Sequence, residues 1–249
     1  MRPVLTLAVA DMLGRAGDEA VDLACAIELV HAASLVLDDL PSMDDAELRR
    51  GQPTTHRVHG EDIAILAAFA LLTRAFQLVA DAGQRLGLKR YGSEDLVHHL
   101  AEAVGTGGLV GGQALDLHSD PAAVDLERLE SIHSGKTGAL FLAAAELGAM
   151  AADARRRDLE AVARYAKNLG LAFQIEDDLL DALAGREETG KDVRQDAGKA
   201  TFVGLLGVDG ARALADELLG FAVDSLAPFG ARASALVALA ELVAAPGRR

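Results

Sequence analysis

Alternation of β-branched and polar residues, the mark of a half-buried strand, is almost missing from this chain. Alanine and leucine dominate instead. Proline occurs 6 times, aromatics make up 4%, and tryptophan is absent, a composition that leans towards helix. Helices are read at 3–13, 18–39, 61–83, 93–117 (bent at its glycines), 123–150, 155–183, 200–206, 209–226 and 230–244, with no convincing strand. Linkers fall at 41–55, 83–92, 119–121 and 184–198. None is long or low in complexity, and no fixed-period repeat is present. The expectation is an all-α, single-domain helical bundle over residues 1–249, with ample material at 51% hydrophobic for a core.

The net charge of −14 argues against nucleic acid as a partner. An acidic chain still binds an anion when divalent metal sits between them. Cys25, the single cysteine, lies in an apolar helical run and is expected as a core thiol in a reducing, cytoplasmic compartment. No targeting segment stands out. The most apolar stretch, 63–80, is interrupted by Arg74 and Gln77, so a buried core helix is expected there and no integral membrane span.

Two acidic clusters carry the functional reading. In "LVLDDLPSMDDAELRRGQPTTH" a leucine-rich helix runs into Asp38, Asp39, Asp44 and Asp45, with Pro41 opening a turn, then into Arg49 and Arg50. About 140 residues later "FQIEDDLLD" places Asp177, Asp178 and Asp181 at the end of another apolar helix, with Asp177 and Asp181 one turn apart. Carboxylates from two sides, completed by water and phosphate oxygens, are the usual Mg²⁺ environment. Either cluster alone reads as a solvated helix end. The pair makes that reading much weaker.

Basic residues follow the same plan. "HSGKTGAL" supplies Lys136 and Thr137, and "TGKDVRQDAGKAT" supplies Lys191 and Lys199. Each lysine follows a glycine, which lets the backbone approach a ligand. A Walker loop is excluded because the position of its first glycine is Glu130. The glycine-rich "GTGGLVGGQ" at 105–113 follows no strand, so a dinucleotide fold is not indicated. Acid pairs with Arg, Lys and Gln point to a diphosphate held by metal on one side and cations on the other.

With these blocks, together with "RPVL" and "GGQ", the chain resembles the trans-isoprenyl diphosphate synthase (polyprenyl synthetase) family, and within it bacterial geranylgeranyl diphosphate synthases. The resemblance runs from Arg2 to about Gly207 and implies an isoprenoid-synthase bundle around a central apolar cavity. It implies that Asp38, Asp39, Asp44, Asp177, Asp178 and Asp181 hold Mg²⁺, three ions per site. Arg49, Lys136, Thr137, Gln174, Lys191 and Lys199 would contact the allylic diphosphate. Arg2, His31 and Arg50 would contact isopentenyl diphosphate. By spacing, His31, Ser34 and Asp38 share one helix face. By the resemblance, the catalytic set is Asp38, Asp39, Asp44, Asp177, Asp178, Lys136 and Lys191, and a homodimer is expected with 63–80 as a candidate interface. The family has a Gly-Lys pair shortly before Arg-Pro. Here the sequence begins "MRPVL", so the family's first helix and that lysine are expected to be missing, through a trimmed start or with weaker binding of the second substrate.

The implied reaction is ionisation of the allylic diphosphate, attack by the double bond of isopentenyl diphosphate, and loss of a proton. Ala33 and Ser34 lie four to five residues before Asp38, roughly 6–7 Å along the helix. In the family a bulky aromatic there stops growth at C15. Both side chains are small here, so the implied product is C20, geranylgeranyl diphosphate, with C15 as the alternative. Other classes considered are a terpene cyclase, a non-catalytic partner subunit and a carboxylate di-iron bundle. The last rests on two E-x-x-H pairs, Glu28/His31 and Glu130/His133.

Overall fold

The computed structural model describes residues 1–15, 18–187 and 199–244. Its helices are α1 (Arg2–Met12), α2 (Val21–Asp38), α3 (Thr55–His59), α4 (Glu61–Leu86), α5 (Ser93–Val104), α6 (Leu109–His118), α7 (Leu126–His133), α8 (Ala139–Ala151), α9 (Arg156–Glu187), α10 (Phe202–Ser225) and α11 (Ser234–Val243). The all-α expectation holds, with one local exception. Leu48–Arg49 (β1) and Gln52–Pro53 (β2) form a two-stranded antiparallel ladder. Its turn residues, Arg50 at φ 53° and Gly51 at φ 75°, have the paired positive angles of a tight hairpin turn. Two-residue strands carry no alternation, so periodicity could not show them.

α8 organises the bundle. It is apolar but for Glu146, and ten of its 13 residues are buried. It packs against α1, α2, α5 and α9. At its crossing with α1 a Cβ on Gly148 would stand 2.3 Å from the Thr6 carbonyl oxygen, so only glycine admits that approach. A smaller apolar cluster of Ile175, Leu179, Phe202, Ala211 and Ala215 joins α9 to α10.

Some expected helices divide. The 93–117 segment breaks between α5 and α6 at Gly105–Gly108. The 123–150 segment becomes α7, a π turn at Ser134–Gly138, and α8. The two helices expected at 200–206 and 209–226 are one, α10, bent at Gly207, whose φ is 72°.

Two burial expectations are corrected. Cys25 is exposed, because the buried stripe of α2 runs through Leu23, Ala26, Ile27, Val30 and Ala33 and leaves Cys25 outside. The 63–80 stretch is not a buried core helix. α4 buries mainly alanines (Ala64, Ala68, Ala75, Ala82), while Ile63, Leu66 and Phe69 remain 46%, 63% and 64% exposed. α4 is long and apolar enough to cross a membrane by length and composition, with 22% of its most apolar window buried.

Candidate active site

The first acidic cluster is built by a loop that folds back on a helix end. α2 stops at Asp38, and Pro41, two residues past the cap at Asp39, cannot continue it. The Asp44 N–H donates to the Asp38 carbonyl at 2.9 Å, and the Ala46 N–H to the Asp39 carbonyl at 3.2 Å. These bonds return Asp44 to the side of Asp38. The hairpin then brings Arg49 back to the same helix end, where its Nε and Nη2 donate to Asp39 Oδ1 at 3.0 and 2.5 Å. Asp39 is buried and faces this guanidinium. Burial, with Asp44 and Asp39 adding to it, pushes the Asp38 carboxyl up to about 6 against the opposing pull of Lys136 and Arg49. A carboxylate held at such a cost is ready for a cation.

The second cluster is a plain helix face. Asp177, Asp178 and Asp181 line a cleft of about 100 Å³ together with Asp116, His133, Lys136, Gln174, Lys199 and Thr201. Within it Asp178 serves protein donors: Gln174 Nε2 at 3.1 Å and the Phe202 N–H at 2.9 Å, the first turn of α10. Gln174 Oε1 in turn accepts from Thr137 Oγ1 at 3.0 Å. That relay fixes the π turn, α9 and α10 to one another.

The π turn is what aims Lys136 and Thr137. Its wider backbone interrupts the α7–α8 line, a feature common at functional sites. Lys136 Nζ lies 2.5 Å from Asp116 Oδ2, and Lys199 Nζ lies 3.0 Å from Asp44 and 3.8 Å from Asp116. The chain Asp44–Lys199–Asp116–Lys136 therefore links the two acidic clusters into one polar mouth. A neighbouring cleft of about 290 Å³ shares Asp116 and Lys199 and is otherwise lined largely by apolar side chains such as Met43, Leu117, Val124 and Ile132.

A second cationic group sits beside α2. Arg2 stacks over Phe141 at 4.7 Å, and its buried Nε has no hydrogen-bond partner. Burial lowers its guanidinium to about 10, with Glu28 pulling the other way. His31 is pushed down to about 4 by burial, then by Arg2, Arg50, the N-terminal amine and Arg49, so it is neutral. Ser34 Oγ donates to the His31 carbonyl at 2.9 Å. Arg50, at the hairpin tip, is exposed.

Lys191 lies outside the described residues. Every other predicted site residue is present. Sequence reading missed Asp116, and it saw His133 only as half of an E-x-x-H pair. His133 lines the cleft; its Nδ1 is buried without a partner, and burial drives it down to about 4. Asp116 was detectable: Gly108, Gly112 and Asp116 recur every four residues, one face of a helix.

No three acidic, imidazole or thiol groups among the described residues converge tightly enough to hold a metal unaided. A di-iron centre therefore lacks its ligand cluster there, and its two E-x-x-H pairs sit on separate helices, α2 and α7. The donor set does suit Mg²⁺, which takes one or two carboxylates and completes its shell with water and phosphate oxygens.

Residues 1–221 match the polyprenyl synthetase family. The chain is 44% identical over 252 residues to geranylgeranyl pyrophosphate synthase 9, chloroplastic, of Arabidopsis thaliana, covering 98% of this chain and 69% of that one. It is 43% identical to a dimethylallyltranstransferase of Fischerella ambigua, covering 98% and 70%. Its fold superposes on an FPP/GFPP synthase from Zymomonas mobilis with a TM-score of 0.84 at 35% identity, covering 98% and 83%. A geranyltransferase from Legionella pneumophila gives a TM-score of 0.85 at 32% identity, covering 98% and 81%. The chain belongs to the polyprenyl synthetase family. It is a prenyltransferase of the kind that condenses isoprenoid diphosphates head to tail, in a family that uses Mg²⁺.

Proposed function

We propose that the enzyme joins isopentenyl diphosphate to an allylic diphosphate and releases geranylgeranyl diphosphate. The observation that supports the reading is the ion-pair chain from Asp44 to Lys136, whose two lysines line one cleft with Asp177, Asp178 and Asp181. The names of the relatives support the C20 product.

In this reading Asp38 and Asp44 bind metal from one wall, and Asp177 and Asp181 from the other. Asp39 and Asp178 act indirectly, by orienting Arg49 and by tying Gln174 to the start of α10. Bound Mg²⁺, three ions in the full complement, supplies charge neutralisation for the departing diphosphate. Arg49, Lys136, Thr137, Gln174 and Lys199 hold the allylic diphosphate, and Lys191 belongs to the same set. Arg2, Arg50 and neutral His31 hold the isopentenyl diphosphate. The unpartnered Arg2 Nε is a donor waiting for such an anion.

The hydrocarbon tail runs below Asp38 along α2. Ser34, four residues back, shares the Asp38 face and is half-buried, whereas Ala33 lies on the fully buried stripe. The small residue that leaves room for the tail is thus Ser34 more than Ala33. The large exposed side chains of α4 are covered by a second copy of the chain, giving a homodimer. A cytoplasmic location completes the reading.

The test is incubation with isopentenyl diphosphate, Mg²⁺ and each allylic diphosphate in turn, followed by chain-length analysis. A C20 product is expected, and Ser34→Phe should shorten it to C15. Absence of any condensation product would refute the reading. Light scattering at micromolar concentration checks the dimer, which a monomer would exclude.

A further inference from the structure

Among the carboxylates that line the two clefts, Asp116 on α6 is the one outside both aspartate clusters. We propose that Asp116 is a positioning residue, the shared counter-ion that fixes Lys136 and Lys199 in place for a diphosphate. The inference rests on the prenyltransferase reading of the site and goes one residue deeper into it.

Backbone geometry carries it first. Gly112 lies against the π turn so closely that a Cβ there would stand 2.1 Å from the Lys136 nitrogen and 2.6 Å from the Gly135 carbonyl carbon. From the other side, a Cβ on Gly135 would stand 2.9 Å from Gly112 Cα and 3.1 Å from the Gly108 oxygen. α6 and the π turn therefore touch backbone to backbone, which accounts for Gly112 in "GTGGLVGGQ". Asp116 is the next residue on that face after Gly108 and Gly112, one turn beyond the contact. This packing brings Asp116 within reach of the Lys136 ammonium.

Electrostatics carry it further. Asp116 Oδ2 lies 2.5 Å from Lys136 Nζ and 3.8 Å from Lys199 Nζ, and the side chain is 14% exposed. Two ammonium groups aimed at one ligand repel each other, and a carboxylate between them offsets that repulsion. Each ammonium has three N–H donors. Lys136 gives one to Asp116 and keeps two for phosphate oxygens. Asp116 lines both the polar cleft and the more apolar one beside it, so the pair stands at the cleft wall and is no remote structural bridge.

The experiment is a double-mutant cycle of Asp116→Ala and Lys136→Ala, with Asp116→Asn as the conservative variant. Calorimetry measures affinity for inorganic pyrophosphate with Mg²⁺, and steady-state assays measure KM for each substrate. Asp116→Ala should weaken pyrophosphate about tenfold and raise the allylic KM by a similar factor, with the isopentenyl diphosphate KM changed less than about twofold, as expected for one lost charge-assisted contact. In the Lys136→Ala background the same change should cost less than about threefold. Asp116→Asn should fall between, with an unchanged circular dichroism spectrum, and it carries the cycle if the alanine variant does not fold. Additive losses, or equal rises in both KM values, would overturn the proposal. So would loss of Mg²⁺ binding in the absence of pyrophosphate, which would make Asp116 a metal ligand. If the wild type condenses nothing, the prenyltransferase reading fails, and the pyrophosphate cycle still judges Asp116.

Discussion

The two acidic clusters have the same letters and different architecture. At the second, Asp177 and Asp181 are one turn apart on an unbroken helix, so α9 alone sets their spacing. At the first, Asp38 and Asp44 are six residues apart and meet only because the intervening loop returns to the α2 end, held by the Asp44 N–H to Asp38 carbonyl bond. In both, the inner aspartate serves the protein, but to different ends. Asp39 holds an arginine, and Asp178 caps the start of α10. A helix-borne pair is fixed by folding of the helix, while a loop-borne pair depends on its hydrogen bonds and can adjust to its ligand.

The largest effect should come from the outer aspartates. Asp38→Ala and Asp177→Ala are each expected to lower turnover about a thousandfold while leaving the helical circular dichroism unchanged. Wild-type activity in either variant, or full activity in excess chelator, would remove that cluster from metal binding. The inner aspartates should then separate from each other. Asp178→Ala removes the acceptor for the Phe202 N–H and for Gln174, so the unfolding free energy should fall by about 2 kcal/mol in urea titration. Asp39→Ala should instead behave as Arg49→Ala does. Equal stability losses in the two inner variants would erase the distinction.

Next in size are the hairpin arginines. Arg49→Ala should raise KM for the allylic substrate about tenfold, and Arg50→Ala should do so for isopentenyl diphosphate. Equal effects of each variant on both substrates would show that the hairpin does not divide the two sites.

The smallest expected effect is in pH dependence. His31, below the first cluster, and His133, beside the second, both fall from the ordinary 6.5 to about 4 in the folded chain, in each case mainly through burial. Between those values the unfolded chain binds more protons, so both histidines make stability fall as pH drops from 6.5 to 4. His99 has the opposite sign. Its hydrogen bond to Glu146 raises it, so its contribution is complete below 6.5 and is lost as pH rises through the folded value. His99→Gln should therefore destabilise the protein near pH 6 and not near pH 9. NMR titration of the three imidazoles checks all the signs, and a midpoint near 6.5 for His31 or His133 would contradict the burial account.

Much of this was legible in the sequence because it is written in short-range spacing. The helices follow from apolar periodicity, and the Asp177–Asp181 pair follows from the helical repeat. The first cluster was legible as composition but not as geometry, since nothing local says that Asp44 returns to Asp38. The hydrogen bonds of Asp39 to Arg49 and of Asp178 to the Phe202 N–H were not legible, because those partners come from other elements. Cys25 and Phe69 were misplaced for a related reason: an apolar run shows that a face exists, not which way it turns. Asp116 escaped because its significance depends on glycines that admit a neighbouring backbone.

The π turn at Ser134–Gly138 also gives the site a mechanical phase. A π turn is a helix carrying one residue too many, and each residue in an α-helix advances the side chains by about 100°. Deleting one residue there would let α7 and α8 fuse into a single regular rod. That rod would be one residue shorter, and Lys136 and Thr137 would lose the widened backbone on which they now sit. The irregularity works as an inserted link that sets where those two side chains stand between the helices on either side.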